Sequence, residues 1–410
     1  MLPPVKKSPK SVTRALQITL QTLKTSKKVS MAQLSRLLMG LPLLLALLVA
    51  AEAAADPATG GSLSLARYTR VFAFGNSLTD TGNAAIFPAT AKGPSTRPPY
   101  GQTYFGHPSG RASDGRLIID FLVEELEVPL PTPYLAGRTA ADFLDGANFA
   151  LGGATALDPA FLASRGITSV VPISLGNETS WFVNVLQLLN SSGYADQRKI
   201  TARSLFFVGE IGVNDYFLAL MSKSADVAES LVPHIIGTIR SALTAMIGAG
   251  ARTVVVTGML PLGCEPKLLA MFPGGPGDYD PVSGCDARFN RIAVQHNRAL
   301  KRMLWELRLR HPRRSFLYAD VYRSVARAVA SPARYGFGSK PLAACCGGGS
   351  GPYNFNYTAF CGTPKSTTCA DPSEYISWDG IHLTEAAHEF IAHAMLGEVL
   401  SVVETGSRQA

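Results

Sequence analysis

Long apolar runs are missing from this 410-residue chain. The best of them, residues 37–50, falls short of the ~20 residues that a membrane-spanning helix needs, so no stable span is expected. Cysteine is absent before Cys264, and none of the six that follow (Cys264, Cys285, Cys345, Cys346, Cys361, Cys369) has the paired C-x2-C spacing of a zinc site. Charge is sparse, at 17% of residues, and its positive excess is local. Residues 1–55 hold eight Lys/Arg against Glu52 alone, which leaves 30 basic and 29 acidic residues elsewhere. A nearly neutral body excludes nucleic acid as the expected partner. Two hydrolytic signatures are missing as well. His388 and His393 are five apart, about 140° around a helix, whereas a zinc-protease helix needs histidines four apart. Around Ser77 the order is Gly75-Asn76-Ser77-Leu78-Thr79, without the second glycine of a nucleophile elbow.

What the leader contains is informative. Arg36, the apolar run 37–50 and the small residues Ala51-Glu52-Ala53-Ala54-Ala55 make a signal-peptide pattern. Thirty residues precede it, so Met31 is a candidate initiator; a basic extension or a transit peptide is the alternative for residues 1–30. Residues 56–410 then read as a single domain. Six cysteines fit an exported protein with disulfides. Cys264 with Cys285 would staple the Pro/Gly/Asp-rich loop between them, while adjacent Cys345 and Cys346 each reach towards Cys361 or Cys369, or one of them stays free. Asn177, Asn190 and Asn356 begin Asn-x-Ser/Thr sequons and are glycosylation candidates on a secretory route.

In the body, apolar runs alternate with helical patterns. Strands are expected at 71–74, 204–208, 253–257 and 316–320, and helices at 117–126, 181–189, 226–249, 286–310, 321–330 and 386–402, the last with Thr384 as N-cap. That order predicts a parallel α/β sheet with helices on both faces. The loops 87–110, 155–180 and 341–372 are expected to shape a substrate cleft, with 87–110 as its wall.

Ser77 follows directly on the first strand, at the carboxyl edge where such sheets keep their ligand crevice. A lone hydroxyl is a poor nucleophile and needs a base and an oxyanion site. Of the histidines at 107, 234, 296, 311, 382, 388 and 393, only His382 has a carboxylate, Asp379, at orienting distance in a loop-to-helix junction. His107 is a rival in the loop, and His296 and His311 read as solvated beside a charged helix. Asp379 and His382 read either as a general-base pair or as a structural one. Gly152-Gly153 by itself reads as a tight turn.

Four stretches together resemble the plant-type GDSL esterase/lipases of the SGNH hydrolase superfamily: FGNSLTDTGN at 74–83, NFALGGAT at 148–155, GVNDY at 212–216 and SWDGIHLTEAA at 377–387. GRASDGRLIIDF and LPLGCEP between them look familial too. The resemblance implies a flavodoxin-like three-layer α/β/α sandwich with a central, mostly parallel sheet. It further implies Ser77 as nucleophile, His382 as base and Asp379 as its orienting acid. An oxyanion hole would comprise the Ser77 and Gly153 N–H groups and the Asn214 amide, with no metal or organic cofactor. The aspartate of the name-giving motif is Asn76 here. Asparagine keeps an acceptor and gains a donor, so activity is expected to survive. The implied activity is hydrolysis of carboxylic esters (acetyl, hydroxycinnamoyl or lipid acyl, on small molecules or cell-wall sugars) by a secreted protein of the extracellular space or cell wall, with the vacuole as alternative. An acyltransferase using the same acyl-enzyme, and an inactive glycan-binding wall protein, are the competing readings.

Overall fold

The computed structural model describes residues 68–191 and 197–407; the signal-peptide reading of residues 1–55 lies outside them. Five-residue, largely apolar segments form four neighbouring strands of a six-stranded sheet, β1 (Arg70–Phe74), β4 (Ser204–Val208), β5 (Thr253–Thr257) and β6 (Ser315–Ala319), the last at its edge. Two short strands, β2 (Thr132–Pro133) and β3 (Gly146–Asn148), extend it in the order β2-β3-β1-β4-β5-β6. Every pairing is parallel. All strands therefore end at one edge, where the loops after β1, β3 and β4 converge.

Alternation along each strand divides the core. Phe72, Phe74, Phe206, Val208, Val254 and Val256 face one layer. It includes α2 (Leu175–Ser191), α4 (Val232–Ala249) and α5 (Ala287–Arg310). Val71, Ala73, Leu205, Phe207 and Val255 face the other, with α1 (Ile118–Glu125), α6 (Val321–Ala330) and α7 (Glu385–Ser407). This is the three-layer α/β/α sandwich. Phe72, Phe74, Phe149, Phe182 and Phe206 interlock at ring distances of 5.0–6.3 Å, and each is fully buried. Truncating one such ring to alanine costs about 3–5 kcal/mol.

Some elements differ from the expectation. The helix read over 226–249 is two helices, Ala225–Ser230 and α4, because Pro233 takes the first turn of a new helix. This stretch is the one described segment long and apolar enough to cross a membrane, and half of it is buried within the fold. The GVNDY block starts a helix: Gly212, in the left-handed region at φ 129°, precedes α3 (Val213–Ser222). Thr384 caps α7, its hydroxyl accepting from Ala387 N (3.2 Å).

The cysteines join as Cys264–Cys285, Cys345–Cys369 and Cys346–Cys361. The twin bridges hold a strap whose Cys345 and Cys346 N–H groups donate to Ser377 O (3.0 Å) and Trp378 O (2.6 Å). The strap thereby fixes the segment leading into Asp379.

Candidate active site

The chain leaves β1 through Gly75, whose φ of 139° suits glycine. Its N–H donates to Glu178 Oε2 (2.9 Å). Asn76 O then accepts from both Thr79 N and Asp80 N (3.0 Å each), a tight turn that leaves Ser77 half-buried at its outer bend. Asn76 itself is buried. Its Oδ1 accepts from Leu78 N (3.0 Å), and its Nδ2 donates to Glu210 Oε2 (2.6 Å). The donor gained over aspartate is thus in use.

From the other end of the chain, Asp379 lies fully buried after Trp378. Its Oδ1 accepts from Ile381 N (2.9 Å) and His382 N (2.8 Å). Its Oδ2 meets His382 Nδ1 (2.7 Å) and accepts from the Tyr100 hydroxyl (2.6 Å). Burial pushes this carboxyl up, but the His382 charge and these hydrogen bonds outweigh it and hold its pKa at about 2. An ionised carboxylate only accepts, so Nδ1 carries the proton. His382 Nε2 then faces Ser77 Oγ at 2.8 Å as the acceptor. Hydroxyl, imidazole and carboxylate stand in series although 305 and 3 residues separate them. Burial and the neighbouring Asp379 charge drive the Tyr100 phenol well above its usual range, so it remains a donor.

The third member of the expected site is the turn after β3. Asn148 Nδ2 donates to Thr79 O (2.7 Å) and Thr81 Oγ1 (3.0 Å), tying β3 to the Ser77 loop. Gly152 N donates to Asp80 Oδ2 (2.8 Å). The next residue, Gly153, has φ 88°, and a Cβ there would meet Val171 Cγ2 at 2.6 Å. A Cβ at Gly152 would lie 3.7 Å from Ser77 Cβ, so this turn abuts the serine. Asn214, on the first turn of α3, uses one amide hydrogen on Ala154 O (2.8 Å); the second is left for another acceptor.

A cleft opens on Ser77, His382 and Asn214. Its apolar wall comes from Leu260, Val325, Val329 and Ile376. The expectation for the loops is corrected: among the described residues, 87–110 and 155–180 do not line it and 341–372 supplies only Pro341. The 87–110 loop instead sends Tyr100 inward to Asp379, beneath a perpendicular contact with Trp378 (5.8 Å).

His107, the rival base, is exposed, with Nδ1 3.0 Å from Pro108 O. His296 is not solvated. It is buried, bonded to the Tyr216 hydroxyl (2.9 Å), and held neutral with a pKa lowered by burial to about 3. Its place was visible in the sequence, since it shares a helical stripe with Phe289, Ile292, Leu300 and Met303. His388, also buried, has no protein partner on either ring nitrogen among the described residues. Tyr100 had no such signal, because its contact with Asp379 spans 279 positions.

A parallel α/β/α sheet presenting a serine, an imidazole and a carboxylate in series at its carboxyl edge is the arrangement of a serine hydrolase. Residues 71–395 match the family described as GDSL-like Lipase/Acylhydrolase, and the chain belongs to that family of carboxylic-ester hydrolases. It is 41% identical to a GDSL esterase/lipase of Arabidopsis thaliana over 80% of this chain and 84% of the relative. Another from the same plant is 42% identical over 80% and 90%, and a sinapine esterase of Brassica napus 41% over 81% and 86%. A solved GDSL-like lipase from Parabacteroides merdae aligns over 81% of this chain and 95% of that one, at 14% identity and a TM-score of 0.36, too loose a likeness to carry weight.

Proposed function

We propose that the protein is a secreted serine esterase working through an acyl-serine intermediate, with Ser77 as nucleophile, His382 as general base and Asp379 as the acid that orients the imidazole. The carrying observation is the pair of contacts His382 Nε2–Ser77 Oγ (2.8 Å) and His382 Nδ1–Asp379 Oδ2 (2.7 Å). In this reading His382 takes the Ser77 proton as Oγ attacks the ester carbonyl. The tetrahedral oxyanion is met by the N–H groups of Ser77 and Gly153 and the spare amide hydrogen of Asn214. Gly153 is preferred over Gly152 because the Gly152 N–H is already given to Asp80. The imidazolium then protonates the departing alcohol, and water, deprotonated by His382, releases the acid.

The substrates fall among acetyl, hydroxycinnamoyl and lipid acyl esters, small or cell-wall bound, and the sinapine esterase relative is in keeping with that range. Export, with residues 1–55 as the targeting segment and 56–410 as one hydrolase domain, is supported by the three disulfides. Asn190 and Asn356 are exposed as glycan acceptors must be, whereas Asn177 is half-buried with its Oδ1 taken by Ser174. Ser77→Ala in folded protein should abolish turnover of short-chain nitrophenyl esters and labelling by a fluorophosphonate. Undiminished turnover would sink the assignment.

A further inference from the structure

The cleft beside Ser77 contains an ion pair that the relay above does not use. Glu265 and Lys267 both line it. They flank Pro266 on a rigid segment: Cys264 is bridged to Cys285, and Lys267 N donates to Gly380 O (2.9 Å) in the loop between Asp379 and His382. The Lys267 side chain is 3% exposed, and its ammonium lies 3.5 Å from Glu265 Oε1. Its other neighbour is the Phe217 ring, 3.8 Å from the centroid, one helical turn on from Asn214. Glu265 Oε2 is buried and has no hydrogen-bond partner among the described residues.

A buried ion pair kept only for structure has its remaining lone pairs and protons satisfied, because desolvation otherwise outweighs the attraction. This one is long, leaves an acceptor empty, and belongs to two residues that line the cleft on which Ser77 opens. We propose that Glu265 and Lys267 form a hydroxyl-recognition subsite, so that the enzyme favours esters bearing a free hydroxyl in the half that enters this cleft. The hydroxyl donates to Glu265 Oε2 and accepts from Lys267 Nζ, completing both groups at once. Burial lifts the Glu265 pKa while Lys267 and His382 pull it back, so an added donor on Oε2 would favour the ionised form. This inference rests on Ser77 acting as an esterase nucleophile.

The test measures kcat/KM of the full chain on two matched ester pairs. Methyl 4-hydroxycinnamate against methyl cinnamate places the hydroxyl in the acyl half; 1-butyrylglycerol against propyl butyrate places it in the alcohol half. One of these preferences should exceed about tenfold in the wild type and fall by about tenfold or more in E265Q/K267M, since a site built around a hydroxyl rejects the analogue lacking it. The double substitution removes both charges together and leaves neither buried alone. Fluorophosphonate labelling of Ser77 confirms that the variant is folded; if it is not, E265M/K267M, which likewise removes both charges, is read the same way. Preferences below tenfold for both pairs in the wild type, or a preference that falls by less than tenfold in the variant, overturn the subsite. Wild-type activity that persists in Ser77→Ala overturns the esterase reading instead, so the two failures are distinct.

Discussion

Asn76→Asp places a carboxylate where an amide now donates to Glu210 Oε2 across 2.6 Å. Burial already raises the Glu210 pKa to about 8, although Asn76 and Val213 N pull it down. Two unit charges at that separation would repel by about 6 kcal/mol at an effective dielectric of ~20. That is roughly four pH units at about 1.4 kcal/mol each. The substituted pair therefore keeps one shared proton well above pH 8. In the wild type, Glu210 has a raised folded pKa, so stability falls as pH rises from the unfolded value towards 8 and then levels off. In the variant the native state retains a proton that the unfolded chain has lost, and stability goes on falling by about 1.4 kcal/mol per pH unit. Urea denaturation with disulfides intact should give wild-type and variant free energies that run parallel from about pH 5 to 7.5. Between pH 8 and 9.5 they should separate further by about 2 kcal/mol. Fluorophosphonate labelling of Ser77 at pH 6 to 7 should survive. Parallel curves up to pH 9.5 would refute the coupling of residue 76 to Glu210.

Tyr100→Phe removes one of the four donors on Asp379 and should lower kcat by about tenfold with KM nearly unchanged, as expected for a hydrogen bond to a charged group; an unchanged kcat in steady-state assays would remove Tyr100 from the site. Asn214→Ala should lower kcat by about a hundredfold or more, the effect of losing one oxyanion donor; a change confined to KM would assign the amide to substrate binding. Replacing Cys345 and Cys369 with serine opens a bridge spanning 24 residues and should cost about 3 kcal/mol in urea titrations. It should also lower kcat, because the strap carries the segment before Asp379, and a stability loss with kcat intact would show the strap to be only a staple.

Much of the sheet was legible because its central strands are short, uninterrupted apolar runs such as Phe206-Phe207-Val208 and Val254-Val255-Val256. β3 was not, since Gly146-Ala147-Asn148 has no strand propensity and exists through its pairing with β1. Asp379 and His382 could be found from a spacing of three in a loop before a helix, a local relation. Tyr100 and the cleft walls could not. They depend on contacts between distant segments, and loop composition says nothing about which way a loop folds. The burial of His296 was readable from the apolar stripe it shares, although α5 is otherwise rich in charge.

Beneath the reactive edge sit four buried carboxylates that no motif reading assigned a task. Asp80 accepts from the N–H groups of Gly82, Asn83, Ala84 and Gly152, joining the Ser77 loop to the Gly152-Gly153 turn. Asp215 accepts from Ala156 and Leu157, Glu178 from Gly75, and Glu210 from Val213 at the start of α3. The turns that bear Ser77 and Gly153 are thus held by acids from other segments, and the start of α3, which bears Asn214, by Glu210 three residues before Val213. Loops leaving parallel strands carry backbone donors that no ladder satisfies, and where water is excluded only a protein acceptor can meet them. A carboxyl group accepts at two oxygens, so one side chain can hold several N–H groups. The cost is desolvation, which raises the pKa of all four. Asn76 fits this arrangement because it gives Glu210 a side-chain donor where an acid would compete with it for a proton, and it does so one residue from Ser77, where a displaced turn would move Oγ out of reach of His382.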